Sequence, residues 1–343
     1  METNIAIEKA VDFLINARTR DNLWSDFHLP VGESNDWVTS YTGTIMTSIG
    51  NLRAFNAATE SWEKHGVKHF FDGYGGWAYN HLWTEDADST AWGIRFAINL
   101  GLKGKLRTEV AEKFLLQHIT SNGGIRTFFL EKELRKFLSA GPDDPISGWI
   151  ATHTCVTAAV ALLPFMNNRL APWLHAHQLP DGSWDAYWWP DAEYSTSLAI
   201  EALVLDNPDL YTASINKSVE YIINKLGGNN HISNEGFPEG SPFATALALK
   251  ILVLSGRNLE LKEITDSVAL WLLDHQRSDG SWESSALMRV PPAKITDAAG
   301  FHDWNIGKGL DWGTITIDQH AIFTTASVLG ALALFNGAKE KWE

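Results

Sequence analysis

QLPDGSW at residues 178–184 and QRSDGSW at 276–282 are one seven-residue pattern met twice, 98 residues apart. Recurrence of this kind marks an internal repeat. Each copy follows an amphipathic stretch (NNRLAPWLHAHQ, then LKEITDSVALWLLDHQ), and each leads into a run of small and apolar residues (YSTSLAIEALVL, then FTTASVLGALALF). The repeating unit is therefore an outer helix, a Gly/aromatic turn and an inner helix.

Four weaker copies complete the series. Helix 4–17, turn RDNLWSD and helix 37–50 form the first unit; the region 51–69, GYGGWAY and helix 88–100 form the second. Helix 106–119, SNGGIRTF and helix 150–163 form the third, and helix 212–226, NEGFPEG and helix 242–255 the fifth. The inner stretches are small or apolar nearly all round, as a helix buried on both sides must be. Six such hairpins predict an all-α fold, an (α/α)6 barrel with inner helices around the axis and outer helices shielding them. Neighbours in sequence pack as neighbours in space through short connections. An open solenoid would leave apolar ends exposed, so residues 1–343 read as one closed barrel domain.

In this topology every connection that precedes an inner helix emerges at one end. Those connections hold Asp36 and Trp37; Trp83, Asp86 and Asp88; Trp149 and His153; Trp188, Trp189, Glu193 and Tyr194; Phe243; and Trp304, Trp312, Asp318 and His320. One barrel mouth is thus acidic and aromatic. The connection 283–320 is long and rich in Gly, Asp and Trp, which predicts a lid over that mouth.

The formal net charge is −14 and no cluster of Lys and Arg stands out, so nucleic acid and anionic membranes are poor partners. No apolar run approaches the roughly 18 residues of a membrane span, and the N-terminus lacks a signal core. Cys155 is the only cysteine, which excludes an internal disulfide and thiolate-rich zinc sites and fits a reducing cytoplasm. Sixteen tryptophans in 343 residues point to repeated use of the indole ring.

With these residues in place, the chain resembles the class II, protonation-initiated terpenoid cyclases, the family of squalene-hopene cyclase and the copalyl-type diterpene cyclases. Gln178, Gly182 and Trp184, and again Gln276, Gly280 and Trp282, match that family's Q-x-x-x-G-x-W repeat, whose glutamine and indole brace the outer helices. Asp86-Ala87-Asp88-Ser89-Thr90-Ala91 is similar to its D-x-D-D-T-A acid motif, with Ser89 standing where the motif has another aspartate. The resemblance implies that Asp88 protonates an alkene, that Asp86 flanks it, and that His153 hydrogen-bonds the acid. It covers most of the chain as one barrel, and the second barrel of the larger members has no counterpart. A similar order of Asp86, Asp88 and His153 meets the zinc ligands of the protein prenyltransferase β subunit, but Asp88 would replace the thiolate that such chemistry activates.

Protonating an unactivated alkene needs a carboxylic acid that stays protonated near neutral pH. Burial beside apolar groups and a second nearby carboxylate both raise an aspartate pKa, whereas the positive end of a helix favours the anion. The cation that follows is stabilised by aromatic faces, at about 0.5 to 2 kcal/mol each. Trp83, Trp92, Trp149, Trp188, Trp189, Trp312, Tyr194 and Phe243 are the candidate lining residues for a small apolar isoprenoid substrate. Proton-initiated cyclisation requires no cofactor or metal; Mg²⁺ enters only with a diphosphate, for which Arg95, Arg126 and Lys308 are the few basic candidates.

Each feature also has a plainer reading. An acid before the Thr of an inner helix recurs at Asp36 and Glu193 and is an ordinary N-cap, so one carboxyl at 86 or 88 is unremarkable. Asp318 and His320 read as a cap with a surface histidine. Glycan chemistry on an α/α barrel with paired carboxylates, and a non-catalytic lipid-binding barrel, stand as the alternative functions.

Overall fold

The computed structural model describes residues 2–68, 75–102, 106–257, 259–304 and 312–339. In chain order its elements begin α1 (Glu2–Asn16), β1 (Asp26–Leu29), β2 (Gly32–Ser34), α2 (Asp36–Ser48), α3 (Leu52–Lys68), β3 (Trp77–Ala78), β4 (Glu85–Asp86) and α4 (Ala87–Asn99). Then come α5 (Leu106–Leu116), α6 (Glu131–Phe137), α7 (Thr154–Ala161), α8 (Asn167–Ala176), α9 (Glu193–Asp206) and α10 (Thr212–Leu226). The chain ends with α11 (Pro242–Leu254), α12 (Lys262–Asp274), β5 (Leu287–Val290), β6 (Thr314–Ile317) and α13 (Ile322–Lys339).

Helix α2 packs on α4, α4 on α7, α7 on α9, α9 on α11, α11 on α13 and α13 back on α2. That cycle is the closed inner ring. Helices α1, α3, α5, α8, α10 and α12 lie outside it, each against the inner helix of the preceding hairpin, its own inner partner or both. The six hairpins are those the repeat predicts, and the ring is all-α apart from three two-stranded ribbons, β1–β2, β3–β4 and β5–β6.

One hydrogen bond recurs in every hairpin. The backbone N–H of a turn residue donates to the hydroxyl of a threonine one turn into the inner helix: Trp24 to Thr39, Trp77 to Thr90, Ile125 to Thr157, Trp184 to Thr196, Ile232 to Thr245 and Trp282 to Thr325, at 2.9–3.2 Å. In three copies the indole N–H also donates to an outer-helix carbonyl ten residues back, Leu14, Leu174 or Leu272. The sequence pattern assigns the fifth turn to NEGFPEG, but Ile232 holds the turn position, two residues before that segment. With isoleucine instead of tryptophan at that position, the pattern is invisible to a search for Gly-x-Trp.

The glutamines lock one hairpin to the next. Gln178 Nε2 donates to Gly182 O and Ser214 O, both 2.9 Å, and Gln276 Nε2 donates to Ala6 O at 2.8 Å, joining the last hairpin to the first. Gly280 sits where this seam closes, at φ +91°, and an added Cβ would stand 2.2 Å from Lys9 O.

Two expectations need correction. The third inner helix starts at Thr154, not 150, because His153 is extended and its N–H bonds to Ile125 O, while the N–H groups of Gly148 and Trp149 go to Ala293 O. Among the described residues one helix, Ile322–Lys339, is long and apolar enough by length and composition to cross a membrane. It is α13, an inner helix of the ring, and packing on both sides explains its composition.

The described parts of the connection 283–320, residues 283–304 and 312–320, are tied to the ring. Ribbon β5–β6 pairs Leu287 with Ile317 through Val290 with Thr314. Trp149 Nε1 donates to Pro291 O at 2.9 Å and Tyr187 OH to Ile295 O at 2.7 Å. The buried Arg289 side chain donates to the carbonyls of Tyr187 and Ala186.

The seam predicts a contrast between two glycines in the left-handed region. Gly280→Ala should destabilise by about 2–4 kcal/mol, from strain plus the collision with the first outer helix. Gly256→Ala, at φ +72° with open space around it, should lose only about 1–2 kcal/mol of backbone strain. Urea unfolding midpoints of the two variants measure the difference.

Candidate active site

Asp86 and Asp88 enter the mouth together but do different work. Asp86 is the N-cap of α4: Oδ1 accepts from Ser89 N at 2.8 Å and Oδ2 from Ser89 Oγ at 2.7 Å. Both of its oxygens are engaged and the side chain is buried. Asp88, two residues on, accepts no backbone amide among the described residues and opens onto the cavity, half-buried. The cap that the plainer reading needs is therefore supplied by Asp86, which leaves the Asp88 carboxyl facing the cavity.

Burial raises the Asp86 pKa to about 7 against the pull of the Ser89 hydrogen bonds. Burial, and then the negative charge of Asp86, raise Asp88 well above the ordinary carboxylate value, opposed by the indole N–H of Trp37. A protonated carboxyl in this wall is the state that both causes favour.

The cavity has a volume of about 410 Å³. Its wall holds Trp83, Trp149, Trp188, Trp189 and Trp312, as expected, together with Trp37, Tyr79, Phe128, Phe137 and Met288, which the sequence reading did not single out as lining residues. Phe128 stacks on Trp149 with ring centroids 5.7 Å apart, and Trp188 meets Trp149 edge-on at 5.6 Å. Phe137 comes from α6, a short helix in the connection before α7 that carries no signal of the repeat.

Trp92, Tyr194 and Phe243 do not line this cavity. They belong to a septum of rings across the barrel axis. Trp189 stacks on Tyr194 at 4.2 Å and on Phe243 at 5.4 Å, Tyr41 stacks on Phe323 at 4.1 Å, and Trp92 meets Tyr41 edge-on at 4.7 Å. Tyr194 and Phe243 stand in the first turns of α9 and α11 and Trp92 in the second turn of α4, and their rings meet those of Trp189 and Tyr41 from neighbouring units. Only the upper face of the septum, through Trp37 and Trp189, borders the cavity.

His153 is the second correction. Its ring does not reach the carboxyl pair: Nε2 lies 2.8 Å from Gly148 O and Nδ1 2.6 Å from Thr127 Oγ1, while the ring stacks on Tyr187 at 4.0 Å. The ends of this chain settle every proton in it. Gly148 O can only accept, so Nε2 carries the hydrogen and Nδ1 accepts from the Thr127 hydroxyl; Trp188 Nε1, which can only donate, gives its hydrogen to Thr127 Oγ1 at 2.8 Å. Burial lowers the His153 pKa to about 3, so the ring is neutral. His153 holds Thr127, and Thr127 holds the Trp188 indole in the cavity wall.

The remaining candidates are structural or lie elsewhere. Asp318 is buried, accepting from Ala286 N and Thr324 N, and His320 is a surface side chain 3.2 Å from Glu33. Asp26 reinforces the same helix start by accepting from the N–H groups of Ile322 and Phe323. Arg95 lies below the septum, Arg126 packs over Phe129 outside the cavity wall, and Lys308 falls outside the described residues. Cys155 is buried and free.

A scan against protein-family models matches none, and no curated protein matches the sequence. Solved structures do match. The chain is similar to the type II terpene cyclase MstE from Scytonema, in a variant bound to its substrate geranylgeranyl dihydroxybenzoate: TM-score 0.92, 34% identity, 98% of each chain covered. This chain belongs to the type II terpene cyclases.

A second MstE variant, bound to the product merosterolic acid A, gives a TM-score of 0.92 and 33% identity over 98% of each chain. The ent-copalyl diphosphate synthase of Streptomyces platensis shares the fold at 18% identity and TM-score 0.58, over 88% of this chain and 50% of its own. The cyclase is thus an enzyme of protonation-initiated cyclisation acting on an apolar isoprenoid, and the glycan and non-catalytic readings give way. Among its described residues no group of three or more His, Cys, Asp or Glu is gathered to hold a metal.

Two measurements test this geometry. Thr127→Val removes both hydrogen bonds at that hydroxyl and should release Trp188, broadening the product mixture and costing about 1–3 kcal/mol of stability. Thr127→Ser should restore both, as read by gas chromatography of products and thermal melts. The second concerns pH. Because the folded Asp86 pKa of about 7 lies above the ordinary carboxylate value of 3.8, the neutral carboxyl's contribution is full below pH 4 and is lost as pH rises towards 7. The stability of Asp86→Asn relative to wild type should therefore improve over that window, by on the order of 4 kcal/mol, in unfolding titrations at fixed pH.

Proposed function

We propose that the cyclase converts a linear prenylated aromatic acid into a polycyclic meroterpenoid, with Asp88 as the proton donor. The observation that carries this reading is the division of labour at α4. Asp86, tied to Ser89, caps the helix, and Asp88 faces an indole-lined cavity with its pKa raised by burial and by the neighbouring carboxyl. The similarity to a cyclase bound to geranylgeranyl dihydroxybenzoate supports the substrate class.

In the proposed step the Asp88 hydroxyl gives its proton to the terminal alkene of the chain, leaving a carboxylate and a tertiary cation that successive double bonds attack. Trp37, Trp188 and Trp189 present π faces to the moving charge, each contributing about 0.5–2 kcal/mol. The apolar wall keeps water from capturing it. Since the proton is the electrophile, no metal is needed, and Mg²⁺ would enter only with a diphosphate head group. Arg95 lies in the wall of a different cavity, below the septum.

The connection 283–320 serves as the lid of a single barrel domain spanning the chain. It contributes Met288, Val290 and Trp312 to the cavity wall and is tied to the third and fourth hairpins through Pro291 and Arg289. The one cysteine, buried and free, suits a reducing cytoplasm.

Incubation with geranylgeranyl dihydroxybenzoate, geranylgeranyl diphosphate and squalene, followed by mass spectrometry, tests the substrate class; the prenylated benzoate should be cyclised. Asp88→Asn should lose turnover by about 10²–10⁴-fold or more while folding normally, and turnover at the wild-type rate would remove Asp88 from its role. The rate should be maximal where Asp88 is protonated and fall as pH rises through its elevated pKa.

A further inference from the structure

Below the aromatic septum lies a second cavity, of about 810 Å³, at the end of the ring opposite the acid pair. Tyr41, Trp92 and Tyr194 line it nearest the septum, and its sides come from α2, α4, α9, α11 and α13. Neither Asp86 nor Asp88 lines it. Most of the wall is aliphatic, from residues such as Ile45, Leu198, Leu247 and Leu334.

Three charged side chains stand in that wall, and among the described lining residues they are the only ones. Glu201 on α9 is bonded to Arg95 on α4 through one oxygen and to Lys250 on α11, at 2.6 Å, through the other. Each is largely buried, with side-chain exposures of 14%, 24% and 21% respectively. Burial alone would raise the Glu201 pKa, but Arg95 and Lys250 together hold it at about 2, so the carboxylate stays charged. Two cations on one carboxylate leave one positive charge in excess. A structural ion pair buried in an apolar wall would be expected to be balanced, because an uncompensated buried charge is strongly unfavourable. The ammonium of Lys250, with three donors and one carboxylate partner, keeps donors for another acceptor.

We propose that this lower cavity is a second ligand site, which takes a single-chain amphiphile with an anionic carboxylate or phosphate head. The head meets Arg95 and Lys250, and the chain lies along the aliphatic wall. The volume is within the range of small-molecule sites, roughly 300–1,000 Å³. The septum keeps the site separate from the catalytic cavity, so its occupant need not be a substrate.

Isothermal titration of the intact protein with dodecanoate, dodecyl phosphate, dodecanol and dodecyltrimethylammonium, each below its micellar concentration, tests the inference. At least one anion should bind at one site per chain, and comparison of the two anions shows which head group is preferred. Dodecanol and the cation should bind at least tenfold more weakly. Lys250→Met should weaken anion binding about tenfold and Glu201→Gln should tighten it, whereas Asp88→Asn should leave it unchanged. Raising the salt from 0.05 to 0.5 M should weaken binding of the anion and not of dodecanol, a comparison that needs no variant. Equal binding of the cation, no binding of either anion, or anion binding indifferent to salt would overturn the proposal.

Discussion

Everything in this barrel hangs on a small hydrogen bond used six times, from a turn N–H to a threonine hydroxyl on the inner helix. A turn that crosses from outer to inner layer carries backbone donors into a dry environment, where an unmade bond costs about 1–3 kcal/mol. The threonine satisfies one of them and fixes the height at which each inner helix begins. Since all six helices start at matched heights, their N-terminal ends form one mouth, and residues at the first turn of each face a common space.

That constraint explains why the acids sit where they do. Asp86, Asp26 and Asp318 all serve the starts of inner helices, accepting backbone amides, and an aspartate in such a place is ordinary. Asp88 differs because the cap is already occupied. Placed in the first turn beside a neighbour whose oxygens are both engaged, it keeps its own oxygens for the cavity. The first turn of α2 carries Trp37 and the connection before α9 carries Trp189, so acid and aromatic surfaces meet at the mouth. From the first turns of α9, α11 and α13 the rings of Tyr194, Phe243 and Phe323 close on one another and on Tyr41 one turn deeper in α2, which gives the cavity its floor and divides the bore into two compartments.

The hairpins, the ring and the brace positions were legible from Gln178, Gly182, Trp184 and their partners near 280, because a repeat imposes the same local physics on each copy. The acid pair was legible from its doubling. Trp83, Trp149, Trp188, Trp189 and Trp312 were correctly assigned to the mouth because they lie just before inner helices or in the long connection. Trp92, Tyr194 and Phe243 stand in the septum and not in the wall of the upper cavity: which compartment a ring on an inner helix faces depends on rotation about that helix and on what the five others present there. His153 failed for a related reason, since its distance in sequence from Gly148 and Thr127 does not reveal that both would take its nitrogens.

By itself the sequence determined the number of hairpins, their order, the glycines that let neighbours approach, and the end of the ring at which chemistry gathers, since periodicity and turn composition are local properties. Only the tertiary structure decided which of two aspartates caps and which faces the cavity, that His153 supports Trp188 through Thr127, and that a charged compartment lies beneath the aromatic floor. Those outcomes depend on the direction of side chains brought together from different repeats, and direction across a closed ring is a property of the packed whole.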